Sequence, residues 1–295
     1  MSDRSTRKAP CRPANLNHFA WLARLPGALP WRLAPYCGTD PLLDIASVAE
    51  GFRKLFPHVD AHTRQQWLVR HCTMRSHELV DAHAFSRLVA QHGITWEVQE
   101  WPKVGDSSRG TLLVLTHLDR FLTAPLALTT RGVRLSMLTM APDALPFDAY
   151  RTFLNKKIAA FHRLIGGAWR TTRQPLTAMM KGLRQGEWWI ALPDAWEPAF
   201  RDFRFFPFLG GTIAFPAGLI RIAEKTGCRI LYGETVTVAP NHLRILFTPC
   251  PEPAAQAFAW IAERLANAVA ETPWRWWQWP LLPQLYQSAP QDFMT

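Results

Sequence analysis

His117 closes the stretch Thr111-Leu-Leu-Val-Leu-Thr-His117. The apolar run Leu112 to Leu115 reads as a buried strand that delivers a histidine at its C-terminal end, where ligands and reacting groups collect in open α/β sheets. The unperturbed pKa of imidazole lies near neutrality, so a histidine placed there can serve as a general base. The alternative is a structural histidine with satisfied hydrogen bonds, and the chain has ten histidines. Asp119 is the nearest acid in sequence, placed either to orient the imidazole or to cap the following helix through backbone N–H groups. Asp194, at the end of a second apolar run, and Glu197 are the next candidates for that partnership. Arg120 follows His117 closely and reads as a contact for a phosphate group or as solvated surface. No Gly-x-Ser-x-Gly nucleophile elbow occurs. That argues against a serine acyl-enzyme.

The elements that must position these residues follow from the apolar pattern. Residues 1–15 are polar and basic, with Pro10 and Pro13, and read as a disordered N-terminus; residues 16–295 read as a single domain. Residues 16–36 form an amphipathic segment broken at Pro26 and Pro30, fit either to pack on the domain or to lie on a membrane surface. Helix is expected from Pro41 to Phe56 and from Asp60 through Ala90. Beyond Gly110 strands are expected at 111–116, 133–139, 188–193, 229–236 and 243–248. Helices are expected at 119–131, 148–165, 174–185, 215–226 and 253–271. Such alternation argues an α/β fold with a mixed central sheet flanked by helices, behind an N-terminal helical segment.

Composition bounds the rest. With 48% apolar and 19% charged residues the chain is globular. Its formal charge of +10 favours anionic partners. The basic residues are dispersed and match no zinc finger or basic helical arm, so nucleic acid is not expected. The five cysteines show neither a disulfide framework nor a CxxC metal site, and free thiols in a reducing compartment are expected. His58-Val-Asp-Ala-His62 lacks further nearby ligands, so no metal is expected. No apolar run approaches the ~20 residues of a membrane span, and no signal-peptide core follows the basic N-terminus. The expectation is a cytoplasmic protein, free or touching the inner face of the membrane.

The block Thr111–Gly132 resembles the histidine motif of the lysophospholipid acyltransferase superfamily, and of its lipid A late acyltransferase branch in particular. His117 stands at the motif histidine, Phe121 at its aromatic position and Gly132 where the helix closes. The segments Met180–Gly186 and Trp188–Asp194 are similar to the family's helix, glycine, strand and Asp-Gln element. Phe206–Gly211, Gly218–Leu231 and Thr272–Trp279 resemble its later elements in order. The resemblance implies a glycerolphosphate acyltransferase-like fold and acyl transfer, with His117 as base. It implies acyl carrier protein or coenzyme A as donor, and a hydroxyl or amine of a lipid or small molecule as acceptor. Arg163 and Arg173 fall where the family has basic residues that contact anionic ligand groups, and Asp194 matches the aspartate of its Asp-Gln element, which either contacts the ligand or supports the site. The tryptophans 274–279 would form a lid near the acyl pocket, and Phe203–Phe208 would line that groove or pack in the core. No cofactor is implied. One position departs: the carboxylate five residues after the motif histidine is Leu122 here. A binding protein without turnover on the same scaffold is the alternative.

Overall fold

The computed structural model describes residues 11–103, 109–141 and 148–288. Its N-terminal helical segment comprises α1 (Leu16–Leu22), α2 (Leu29–Cys37), α3 (Ile45–Leu55) and α4 (Ala61–Val89). Asn15, Asp44 and Asp60 cap α1, α3 and α4, each side chain accepting a backbone N–H that the first turn leaves unpaired. The remaining elements are β1 (Thr95–Val98), β2 (Thr111–Leu115), α5 (Thr123–Thr129), β3 (Leu135–Thr139), α6 (Asp148–Ile165), β4 (Gly166–Thr171), α7 (Thr177–Arg184), β5 (Trp188–Ala191), β6 (Phe203–Phe208), β7 (Gly211–Pro216), α8 (Ala217–Thr226), β8 (Arg229–Ala239), β9 (His242–Pro249), α9 (Ala254–Glu271), α10 (Leu282–Leu285) and β10 (Tyr286–Ser288).

Among the described residues seven strands form the central sheet, in the order β1-β9-β8-β2-β5-β3-β4. The five from β8 to β4 run parallel; β9 pairs antiparallel with β8, and β1 runs with β9. The mixed sheet with helices on both faces is the expected class. Strand β2 is central and buried throughout. Its side chains alternate between faces, as the period of two requires. Leu113 and Leu115 join α1, α2, α4, α5 and α6 on one side. Leu112 and Val114 join α3, α7, α8 and α9 on the other. A second sheet, β10-β7-β6, closes the latter side.

Helix α4 carries an unusual load for a buried element. His71, Arg75, Ser76, His77, Glu78 and Asp81 are all buried. Buried charge must be paired, and each acid here is: Asp81 takes both arms of Arg120 at 2.5 Å, and Glu78 pairs with Lys157 of α6. Arg75 pairs with Asp40. His71 Nδ1 lies 2.9 Å from the Trp274 carbonyl and His77 Nε2 the same distance from the Trp31 carbonyl. Burial and a neighbouring arginine push both histidines down to about 3, so both are neutral near pH 7. The polar helix thereby ties the N-terminal segment, the strand end after β2, α6 and the C-terminal tryptophans together.

Two expectations about the N-terminal region are corrected. Cys11 and Cys72 are joined by a disulfide, so the five cysteines are not all free thiols. Spacing could not reveal the pair, because the fold brings together residues 61 apart in sequence. Of the stretch expected to be disordered, residues 1–10 lie outside the described residues, whereas 11–15 are held by that disulfide, by a bridge between Pro13 and Thr39, and by the cap at Asn15. Among the described residues no helix is long and apolar enough to cross a membrane.

Candidate active site

Strands β2 and β5 are parallel neighbours in which Val114 faces Ala191. Three residues beyond that pair on each strand stand His117 and Asp194. The register therefore sets histidine and aspartate side by side at the C-terminal edge of the sheet. His117 Nδ1 lies 3.0 Å from Asp194 Oδ1, and the His117 backbone N–H donates to Oδ2 at 2.9 Å. The Trp276 indole N–H donates to the same Oδ2 at 3.1 Å. Asp194 is fully buried, while the His117 side chain keeps 19% of its surface. A buried carboxylate with three donors is well satisfied as an anion.

The Gln278 amide nitrogen also lies 2.9 Å from His117 Nδ1. One ring nitrogen cannot both donate to Asp194 and accept from Gln278. The hydrogen bond to the carboxylate is charge-assisted and about twice as strong as a neutral one, so Nδ1 carries the proton. Nε2 is then the basic nitrogen.

Asp119, expected as the imidazole's partner, is used elsewhere. Its carboxylate accepts the Thr237 N–H at 2.8 Å and the Thr237 hydroxyl at 2.5 Å, and Arg275 lies 3.3 Å away. Its backbone takes φ of +53°, a left-handed conformation that aspartate tolerates better than most residues. That turn swings the carboxylate toward β8, away from the ring, and delays α5 to Thr123 instead of the expected 119. Arg120 is likewise unavailable to a ligand: it is 1% exposed and bound to Asp81 and the Pro240 carbonyl. Arg163 and Arg173 are exposed, and neither lines the cavity beside His117.

That cavity, of about 610 Å³, runs from His117 along the strand ends of β5 and β3 to Trp169 of β4, beneath α6. Its wall is mostly apolar, including Phe121, Leu122, Met137, Ile158, Phe161 and Trp277. Leu122, where the resembled motif carries an acid, is part of this wall. Parallel strands lie about 4.8 Å apart, so the three steps from β2 to β4 give a slot roughly 14 Å long. Phe203, Phe205, Phe206 and Phe208 do not line it. They lie on β6 of the second sheet, whose inner face packs in the core through Phe208 and Phe206.

The C-terminal tryptophans complete the site. Residues 275–277 run antiparallel against 117–119: Asp119 N–H donates to the Arg275 carbonyl at 2.7 Å, and Trp277 N–H to the His117 carbonyl at 2.9 Å. Trp276 is fully buried against Phe208 and Trp279, while Trp277 stacks under Arg75 and faces the cavity. The resemblance implied a packed lid here; it did not reveal that Trp276 would bind Asp194 or that Gln278 would reach the imidazole. Among the described residues no cluster of His, Cys, Asp and Glu is arranged to hold a metal.

No protein-family model matches the chain, and no curated protein matches it. Among solved structures, the crystal structure of the 1-acyl-sn-glycerophosphate acyltransferase PlsC from Thermotoga maritima is similar, at 15% identity and a TM-score of 0.37, over 77% of this chain and 89% of that one. Residue roles and activity do not transfer at that level of likeness.

Proposed function

We propose that the protein is an acyltransferase in which His117, oriented by Asp194, is the general base. The observation that carries this reading is a histidine–aspartate pair opening on an elongated, mostly apolar cavity. His117 Nε2 removes the proton from an acceptor hydroxyl or amine. The freed oxygen or nitrogen attacks the acyl thioester carbonyl. The tetrahedral intermediate collapses and expels the thiolate, which recovers the proton from the imidazolium. Asp194 holds the productive tautomer and stabilises the imidazolium, the role of the aspartate in a triad. The motifs quoted above point to the lipid A late acyltransferase branch. Acyl carrier protein or coenzyme A supplies the acyl group, and a lipid or specialised metabolite receives it. The slot suits a medium-length acyl chain.

The setting is the inner face of a membrane, touched peripherally. Trp21, Leu29, Leu33 and Tyr36 of the N-terminal helices are exposed beside exposed Arg24 and Arg32. Such a mixture suits an anionic lipid surface. Leu122 favours a second reading, an acyl-chain binder without turnover. A transfer assay with acyl carrier protein and coenzyme A thioesters decides between them. Turnover that falls at least 10³-fold in a folded His117→Ala protein supports the base, consistent with the scale of general-base and orientation effects. Chain binding with no transfer to any hydroxyl or amine supports the binder.

A further inference from the structure

The cavity wall holds a carboxylate that the acid–base pair does not use. Glu197 is 5% exposed and lines the same cavity as His117. Both of its oxygens meet one group, the Thr172 hydroxyl, at 2.8 and 2.9 Å. A hydroxyl has a single proton to give, whereas a carboxylate accepts up to about four hydrogen bonds. The other acids near this wall are already matched: Glu78 with Lys157, Asp202 with Arg221, Asp40 with Arg75. Glu197 has no such cation among the described residues. A buried carboxylate this short of donors is stabilised by a ligand that brings them.

We infer that the Glu197–Thr172 wall is a binding site for a primary ammonium group on an amphiphile whose chain lies in the apolar part of the cavity. Glu197 follows Asp194 by three residues, so their Cα atoms lie within about 11 Å. The ammonium therefore sits within reach of the His117 end and not at a remote surface. An ammonium supplies three N–H donors and a full charge. The carboxylate keeps two acceptor sites free beyond the Thr172 hydroxyl, and an anionic group there meets repulsion. The inference rests on the reading of the cavity as a site for a lipid chain, and does not require turnover.

The test is calorimetric titration of the full chain at pH 7 with three probes below their micellar concentrations: dodecylamine, dodecyltrimethylammonium and laurate. Dodecylamine is expected to bind at least tenfold tighter than laurate, a margin typical of a charge-assisted hydrogen bond. Dodecyltrimethylammonium, which has charge but no N–H, falls between them. Glu197→Gln, checked for an unchanged melting temperature, should lower the dodecylamine-to-laurate preference at least tenfold. Should that protein fail to fold, Glu197→Asp, which withdraws the carboxylate by one methylene, should lower it at least threefold. A preference that moves less than threefold in the folded variant, or a wild-type protein that prefers laurate, overturns the ammonium site while leaving the acyltransferase reading standing. No binding of any probe overturns both the chain-cavity reading and this inference.

Discussion

Asp119 and Asp194 are both buried aspartates whose groups meet the same short loop, yet they serve different structures. Asp119 is two residues from His117 and looks away from it, holding β8 and Arg275 in place. Asp194 is 77 residues away and touches the ring. Proximity in sequence is a poor guide at a strand end, because the chain turns sharply there. Proximity between parallel neighbours is a good one, because their ends finish together.

Several measurements can break or sharpen that contrast. Asp194→Asn should cost the most: the amide cannot hold the Nδ1 proton in the same sense, and the corresponding change in serine-protease triads lowers turnover about 10⁴-fold. Steady-state turnover of a folded Asp194→Asn protein within tenfold of wild type would remove Asp194 from the mechanism. Asp119→Asn should act on stability instead. It weakens the buried Arg275 pair while sparing part of the Thr237 contact, for an expected loss of about 2 kcal/mol in urea denaturation. A folded Asp119→Asn protein that loses turnover as Asp194→Asn does would erase the distinction. Trp276→Phe keeps most of the buried ring and removes one donor to Asp194, so turnover should fall roughly tenfold.

The histidines offer a parallel contrast. His71 and His77 are neutral in the folded state because burial lowers both to about 3, against an ordinary value near 6.5 once unfolded. Between those values the unfolded chain binds more protons than the folded one. Stability is therefore fully present above about pH 6.5 and falls as the pH drops. Urea midpoints should decline from pH 6.5 to pH 4, with up to two protons taken up on unfolding. His71→Gln should flatten that decline by about one proton, and a decline unchanged in that variant would exclude His71 as its source.

Much of this arrangement was readable in advance. Strands β2, β3, β5, β8 and β9 announce themselves as apolar or β-branched runs, and α6 occupies its expected span of 148–165. Gly132, with φ of +75°, ends α5 where expected, since a left-handed residue there costs glycine little. Other strands were hidden for definite reasons. β4 begins with Gly166-Gly167, and Gly167 packs so tightly on the Leu135 carbonyl that no side chain fits. β6 contains Pro207, tolerated because β6 is an edge strand. β7 runs into α8 without a break; its last two residues fell within the helix expected from 215, and its first four within no expected element. At the site, His117 was legible from its strand end, and Asp194 as a ligand contact and, behind Asp119, as a candidate partner for the imidazole. Their pairing depends on which strands are neighbours, a property of topology that neither local segment encodes. Arg120 misled because a basic residue beside a motif histidine gives no sign that an aspartate on α4 will claim it.

The pairing of residues 275–277 with 117–119 has a consequence for how the protein is made. Synthesis runs from the N-terminus, and strands β2 and β5 leave the ribosome long before Trp276 does. Until that tryptophan arrives, Asp194 lacks its indole donor and the face that Trp276 and Trp279 cover lies open to water. A nascent chain stalled between residues 272 and 276 would thus carry both the histidine and the aspartate yet hold an unbraced pair and a sticky apolar face, the state in which partly folded chains aggregate. On the proposed function, activity becomes a late event in the life of the polypeptide, switched on when one short stretch zips against the loop that bears His117.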